Sequence, residues 1–204
     1  MQISFIRHGR SSHLHSRFMT AQEFQGWIQQ YNEEGIIKEE EIPSETVQAV
    51  RTAKLVISSS ARRAVQSAAL LTGSLSFVQN PIFCEAELPV YLKMPKWMKL
   101  KPNVWTVLYR TAWLIGYNGD TESYEQAKFR AKQAADLLVG YAVFYQKVVL
   151  VGHGFMNDMI AKELRSRGWN GPAVTNHSHW GCTTYVYKKA LEGTKVKQGI
   201  GFTV

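Results

Sequence analysis

Three short apolar runs in this chain each empty into polar residues with catalytic capacity, and that repetition constrains the fold more than any other feature. Ile3, Phe5 and Ile6 lead into Arg7-His8-Gly9. Leu55-Val56-Ile57 leads into Ser58-Ser59-Ser60 and on to Arg62 and Arg63, and Val148 to Val151 leads into Gly152-His153-Gly154. Continuous β-branched runs of this kind read as strands of a parallel sheet buried on both faces. In open α/β sheets, ligands bind beyond the carboxyl ends of the strands. If the three strands are parallel neighbours, two histidines and at least two arginines share one rim.

The intervening segments read as helices. Thr20 and Glu23 have capping-box spacing ahead of Phe24, Trp27 and Ile28, which predicts a helix from about Thr20 to Tyr31. Pro43-Ser44-Glu45 opens a second helix through Val47, Val50 and Ala53, with a capping pattern expected at Ser44. A third runs from Ala61 to Leu71 and stops at Gly73; a fourth, from Glu122 to Tyr145, carries a Ser123/Gln126 box; a fifth runs from Phe155 to Arg167 and closes at Gly168. Phe77-Val78, Ile82-Phe83 and Thr183 to Lys188 are further strand candidates. The alternation predicts a three-layer α/β/α sandwich with a mainly parallel central sheet. A single domain is expected over residues 1–204, with a lid or insertion at about 87–120, where a helix follows Pro102 and carries Trp105, Leu108, Trp113 and Ile115. In that insertion Lys93, Lys96, Lys99 and Lys101 interleave with Met94, Trp97, Met98 and Leu100. This segment reads as a solvated basic loop, a substrate-gripping lid, or a surface for anionic lipid or nucleic acid.

Composition narrows the partners. A chain of 204 residues with 45% hydrophobic content has enough apolar surface for a core, which argues against wholesale disorder. A net charge of +8 favours anionic partners. Cys84 and Cys182 form no disulfide framework, so a reducing, cytoplasmic setting is expected. The run from Leu137 to Tyr145 is far short of the roughly 20 residues a membrane span needs, and Met1 leads directly into a core strand rather than a secretory signal. His177, His179 and Cys182 suggest a metal cluster at first sight, but zinc-like spacing calls for a second cluster, so a loop and no metal are expected there. His13 and His15 are candidates for bordering the site or for plain surface exposure, and Glu39 to Glu41 read as a solvated run.

A rim of arginines and histidines suits a phosphoryl group, because guanidinium matches phosphate oxygens bidentately. A neutral histidine can attack phosphorus and split the reaction into two steps. Nearby arginines keep that imidazole unprotonated, and a carboxylic acid must protonate the leaving oxygen. With these parts in place the chain resembles the histidine phosphatase superfamily, in its phosphoglycerate mutase-like branch. Arg7-His8-Gly9, with Ser11 where Ser or Thr is usual, resembles the founding motif. Ser59 to Ala68 resembles Ser-Pro-Leu-x-Arg-Ala-x-Gln-Thr-Ala, Glu122-Ser123 resembles the Gly-Glu-Ser that precedes the long helix, and Val151 to Gly154 resembles the second-histidine motif.

The resemblance implies His8 as the nucleophile that becomes phosphohistidine, with Arg7, Arg63, His153 and Ser11 holding the phosphoryl oxygens. It aligns Arg63 rather than Arg62 with the second phosphate-binding arginine, and leaves Arg62 as a solvated helix residue. Gly154 stands where the acid phosphatase branch places an aspartate. The acid therefore falls to Phe83-Cys84-Glu85, with Glu87 close behind. Leu14 stands where the family usually keeps Asn, and no Trp-Glu-Gly follows the acid segment. Both departures favour hydrolysis, or a specialised substrate, over mutase chemistry. The expectation is a metal-independent phosphatase that needs no cofactor and acts on an anionic phosphorylated small molecule or phosphoprotein. A homodimer is admissible and nucleic acid is not expected. Rival readings are phosphoglycerate mutase-type transfer, a protein phosphohistidine phosphatase, and a phosphate- or polyanion-binding module without turnover.

Overall fold

Along β4 (Lys147–Gly152) successive side chains turn to opposite faces of a sheet, and the two faces bury different helices. In a computed structural model that describes residues 1–13, 16–37, 41–73, 76–90 and 94–188, Val148 and Leu150 pack with α5 (Tyr124–Tyr145) and α6 (Gly154–Ser166). Val149 and Val151 pack against α2 (Ser44–Thr52) and α3 (Arg62–Thr72). β1 (Gln2–Arg7) is divided in the same way, with Ile3 and Phe5 on the first face and Ile6 on the second. The chain is thus a three-layer α/β/α sandwich with strand order β3 (Val78–Gln79), β2 (Leu55–Ser58), β4, β1, β5 (Cys182–Val186). All neighbours are parallel except β5, which runs antiparallel to β1.

Register, more than order, sets up the site. Arg7 lies opposite Gly152 and Ser58 opposite Val151, so β1, β4 and β2 end level with one another. The ladder carries one step further: the His8 N–H donates to the Gly152 carbonyl at 3.0 Å and the Ser59 N–H to that of Val151 at 3.1 Å. His8, His153 and Ser59 therefore leave the sheet side by side. α6 starts at this rim and runs away from it, so residues 167–181 must return to the rim before β5 can start beside Ile6. That return brings His177, His179 and Trp180 to the end of β1.

Several local expectations hold. α1 (Ala21–Glu33) opens with a full Thr20/Glu23 capping box, and α5 opens with a full Ser123/Gln126 box. α3 closes at Gly73, whose φ of 64° favours glycine. Two expectations fail. Ser44 does not cap α2: Pro43 takes the N-cap position, and the first turn has no side-chain cap bond. Ile82-Phe83 is not a strand but part of a 3-10 turn, Pro81–Phe83, with the Asn80 side chain accepting the Ile82 N–H at 3.0 Å. Pro81 cannot donate to a ladder, and the Asn80 cap closes the backbone into a turn instead.

α4 (Pro102–Leu114) begins on its proline and buries Trp105, Tyr109 and Trp113. Trp105 and Tyr109 pack with Phe24 of α1, with the Phe24 and Tyr109 rings stacked at 5.7 Å, and form a second small core beside the sheet. Of the acidic run Glu39 to Glu41, only Glu41 is described, and it is exposed; Glu39, Glu40, Leu14, His15 and Lys93 lie outside the described residues.

Gly9 has a steric duty in this frame. The Trp180 indole packs directly on its backbone, and a Cβ built there would overlap the ring carbons Cζ2 and Cε2. Trp180 itself has a φ of 61°, a conformation that costs a bulky residue energy. It is held there because its N–H donates to the Arg7 carbonyl at 3.1 Å and its carbonyl accepts from Thr46 Oγ1. Gly9→Ala should therefore cost about 1–3 kcal/mol, the usual penalty for overpacking a tight site, measured by urea unfolding with the m-value unchanged.

Candidate active site

His8 is buried at the end of β1, and its two ring nitrogens have different partners. Nδ1 lies 2.7 Å from the Gly9 carbonyl, an acceptor only, so this nitrogen carries the proton. Nε2 is left with its lone pair and receives a hydrogen bond from Arg63 Nε at 3.2 Å. The His153 ring sits 5.2 Å from that of His8, at 62° to it. His153 Nε2 pairs with Ser59 Oγ at 2.7 Å. His153 Nδ1 and Arg7 Nε are buried without a hydrogen-bond partner among the described residues. Buried polar atoms are rarely left so.

Each side chain is held from behind. Arg63 stacks over Tyr31 at 4.7 Å and donates through Nη1 to Asn32 Oδ1 at 3.3 Å. Tyr31 is the last rung of an aromatic ladder on α1, since Trp27 stacks on it at 5.4 Å and Phe24 on Trp27 at 5.8 Å. The remaining polar residues of the α3 motif also have assignments. Ser67 Oγ accepts the Gly9 N–H at 2.9 Å and donates to the Arg63 carbonyl at 2.6 Å, while Gln66 accepts the Ile36 N–H at 3.0 Å. Arg62 is exposed and donates to the Glu33 carbonyl at 3.2 Å, at the C-terminal end of α1 where a cation is favourable.

Glu85 lies against the start of α6. Its carboxylate accepts from the N–H groups of Phe155 at 3.1 Å, Met156 at 2.9 Å and Ala86 at 3.1 Å. His153, the N-cap residue of α6, makes no side-chain cap bond, so Glu85 satisfies that helix end from outside the helix. Its own segment is anchored by Arg130, which donates to the Ile82 and Cys84 carbonyls at 2.8 Å each. Arg130 in turn forms a two-pronged pair with Glu122 at 2.7 Å on both prongs. Glu87 is exposed, and its carbonyl accepts from Arg110 Nη1 at 3.3 Å. Ser11 is buried in the loop after Gly9, where its hydroxyl accepts the His13 N–H at 3.2 Å.

Sequence reasoning did not place four other residues at the site. Tyr31 and Asn32 reach it only because α1 ends against α3. His179 lies with its ring 5.9 Å from that of His8. The fourth, Asp158 on α6, acts at one remove. It accepts from His177 Nε2 at 2.6 Å and from the Thr175 N–H and Oγ1 at 2.7 Å each. The His177 carbonyl then accepts from Arg7 Nη1. His177, His179 and Cys182 thus have separate roles, and the Cys182 thiol, desolvated within β5, has its pKa pushed up to about 11. His13 lines a cleft of about 410 Å3 along α1 with Arg17, Met19, Glu23, Gly26, Trp27 and Gln30.

Burial, and next the Arg63 charge, hold the pKa of both His8 and His153 well below the usual histidine value of 6.5. Both rings are accordingly neutral at neutral pH, and His8 Nε2 carries an unprotonated lone pair that accepts from Arg63. The arrangement comprises a neutral nucleophile, two guanidinium groups, a second imidazole and a carboxylate, which together can hold a phosphoryl group and transfer it.

The comparisons with known proteins identify the family and the fold. The family model for the histidine phosphatase superfamily (branch 1) matches residues 3–195, and the chain belongs to that superfamily. No curated protein matches it. Among solved structures, it is similar to mycobacterial glucosyl-3-phosphoglycerate phosphatase in complex with VO3, at 20% identity over 90% of each chain and a TM-score of 0.55. It is also similar to the product of a Mycobacterium tuberculosis open reading frame, at 14% identity over 93% of this chain and 92% of that one, with a TM-score of 0.55. A mutant phosphoserine phosphatase from Entamoeba histolytica in complex with phosphoserine matches at 14% identity over 92% and 91% of the two chains, with a TM-score of 0.53. At these identities the likeness is one of fold.

Two outcomes are expected. The native histidines protonate below 6.5 and the unfolded ones near 6.5, so between those values the unfolded chain binds more protons. Stability should therefore be full above that window and fall as pH drops through it. Urea midpoints followed from about pH 7.5 to about pH 5 test this, and His153→Asn should flatten the slope. Asp158→Ala should loosen Arg7 and lower kcat/KM for a phosphomonoester roughly tenfold, the worth of one charge-assisted hydrogen bond. Asp158→Asn keeps an acceptor oxygen and should recover part of that loss.

Proposed function

We propose that this protein hydrolyses phosphomonoesters through a phosphohistidine on His8. The observation that carries the reading is the pairing of the His8 Nδ1 proton with the Gly9 carbonyl, which presents an unprotonated Nε2 beside Arg63. In the first step His8 Nε2 attacks phosphorus in line with the leaving oxygen; the P–N bond forms and the P–O bond breaks. The leaving oxygen takes a proton from Glu85, which must release one of its backbone bonds to carry it. In the second step water attacks the phosphohistidine, gives its proton to Glu85 and restores His8. Arg7 and Arg63 neutralise the phosphoryl oxygens, with His153 donating to one of them, and no metal is needed for that charge. Ser11 contributes by fixing the loop after Gly9. The phosphatases among the structural neighbours, acting on glucosyl-3-phosphoglycerate and phosphoserine, support a small phosphorylated metabolite as substrate and hydrolysis over phosphoglycerate interconversion. The apolar Cys182 setting and the lack of a disulfide framework support a cytoplasmic site of action.

His8→Ala should abolish phosphate release from an aryl phosphate, and acid-labile 32P should appear on the wild-type chain alone after a rapid quench. An undiminished rate in the variant defeats the reading. Glu85→Gln separates the acid role from the capping role. It should slow an alkyl phosphate on the order of 10²–10⁴-fold, the range for general acid catalysis, while a nitrophenyl ester with a good leaving group should lose far less. Equal losses on both substrates would mean that Glu85 acts only through the structure.

A further inference from the structure

α4 is apolar on both sides. Its inner face buries Trp105, Tyr109 and Trp113, yet Val104, Val107, Leu114 and Ile115 stand 45%, 66%, 43% and 83% exposed. Val104, Val107, Thr111 and Leu114 follow three-and-four spacing, so they form one outward stripe. The single cation of the helix, Arg110, is turned inward between Trp113 and Phe155 and bonds the Ala86 carbonyl at 2.8 Å. A globular surface helix normally presents charge to water along such a stripe.

The segment leading into α4 adds exposed apolar and basic side chains of its own. Trp97 is 79% exposed and lies among the exposed Lys96, Lys99 and Lys101. Phe18 is 62% exposed, and Lys101 Nζ lies over its ring at 5.6 Å. Paired backbone bonds at 2.9 Å between Met19 and Leu100 fix Phe18 beside this segment. From Leu88 to Gly119 the chain has Lys93, Lys96, Lys99, Lys101 and Arg110 and no carboxylate at all.

We infer that the Lys96–Lys101 segment and the outer stripe of α4 dock this protein onto anionic lipid bilayers, as a peripheral rather than a spanning element. Among the described residues no helix is long and apolar enough to cross a membrane. An interfacial surface combines apolar side chains that enter the headgroup boundary with lysines that meet lipid phosphates. The charge pattern discriminates between occupants. A second copy of this chain would set the same lysines against each other, since the segment from Leu88 to Gly119 holds no carboxylate and Glu23, near Lys99, is already paired with Arg17. A nucleic acid backbone would satisfy the lysines but leave Trp97, Val107 and Ile115 in water. The inference rests on this surface and is independent of the chemistry at His8.

Sedimentation with vesicles tests it. The protein should pellet with phosphatidylcholine vesicles containing phosphatidylglycerol and stay in solution with phosphatidylcholine alone, and added salt should release it. Trp97 emission should shift to the blue on binding. Changing Lys96, Lys99 and Lys101 together to Gln should weaken partitioning on the order of a hundredfold, since each lysine near an anionic surface contributes about fivefold. Val107→Asp should weaken it as well. Both changes lie on exposed positions, so an unchanged melting temperature verifies the fold, and the salt dependence of the wild type needs no variant. Equal binding to both vesicle types overturns the inference. So does a concentration-dependent dimer by light scattering, or tight binding to an oligonucleotide, without vesicle binding.

Discussion

The level ending of three parallel strands is the constraint on which this site depends. Because Arg7 pairs with Gly152 and Ser58 with Val151, three chain segments far apart in sequence deliver His8, Ser59 and His153 to one place. A slip of one residue along β1 would turn every side chain on it to the other face. Ile6 would leave the cluster it shares with Val149 and Val151, and His8 would lose its neighbour. The hydrophobic division of the two sheet faces therefore also enforces the catalytic register.

The same burial that orders the core prepares the chemistry. Both histidines are buried, and two guanidinium groups stand close by, so the neutral imidazole is favoured twice over. An arginine near a nucleophile would wander if left on its long side chain. Here Arg63 is clamped by Tyr31, Asn32 and His8, and Arg7 is drawn to the carbonyl of a loop that Asp158 holds. Glu85 is fixed by the end of α6 on one side and by the Arg130–Glu122 pair on the other. Much of the polar network thus holds Arg7, Arg63 and Glu85 in place from behind.

The return loop before β5 carries local backbone strain. Trp180 adopts a left-handed conformation, and its indole covers Gly9. Such strain persists where surrounding contacts over-determine it, and here Thr46 and Arg7 supply them. The loop's position also puts His179 close to His8, within the electrostatic field of the pocket.

How much of this was legible depends on the range over which each feature is decided. The sequence by itself determined the strand cores, two capping boxes and the closing glycines, because each is written within a few neighbouring residues; the ordered Arg7-His8, Arg63 and His153 pattern was legible through the family resemblance, which left both Glu85 and Glu87 open as the acid. The misread elements, Ser44 as a cap and Ile82-Phe83 as a strand, were local ambiguities that Pro43 and Pro81 resolved through backbone geometry. Only the tertiary structure decided that Tyr31 supports Arg63, that Asp158 reaches Arg7 through His177, and that Glu85 caps α6. Those contacts join residues 32, 170 and 71 positions apart in the cases of Arg63 with Tyr31, Arg7 with His177 and Glu85 with Met156. No short-range periodicity encodes such pairings; they follow from sheet register and from which helix faces the packing brings together.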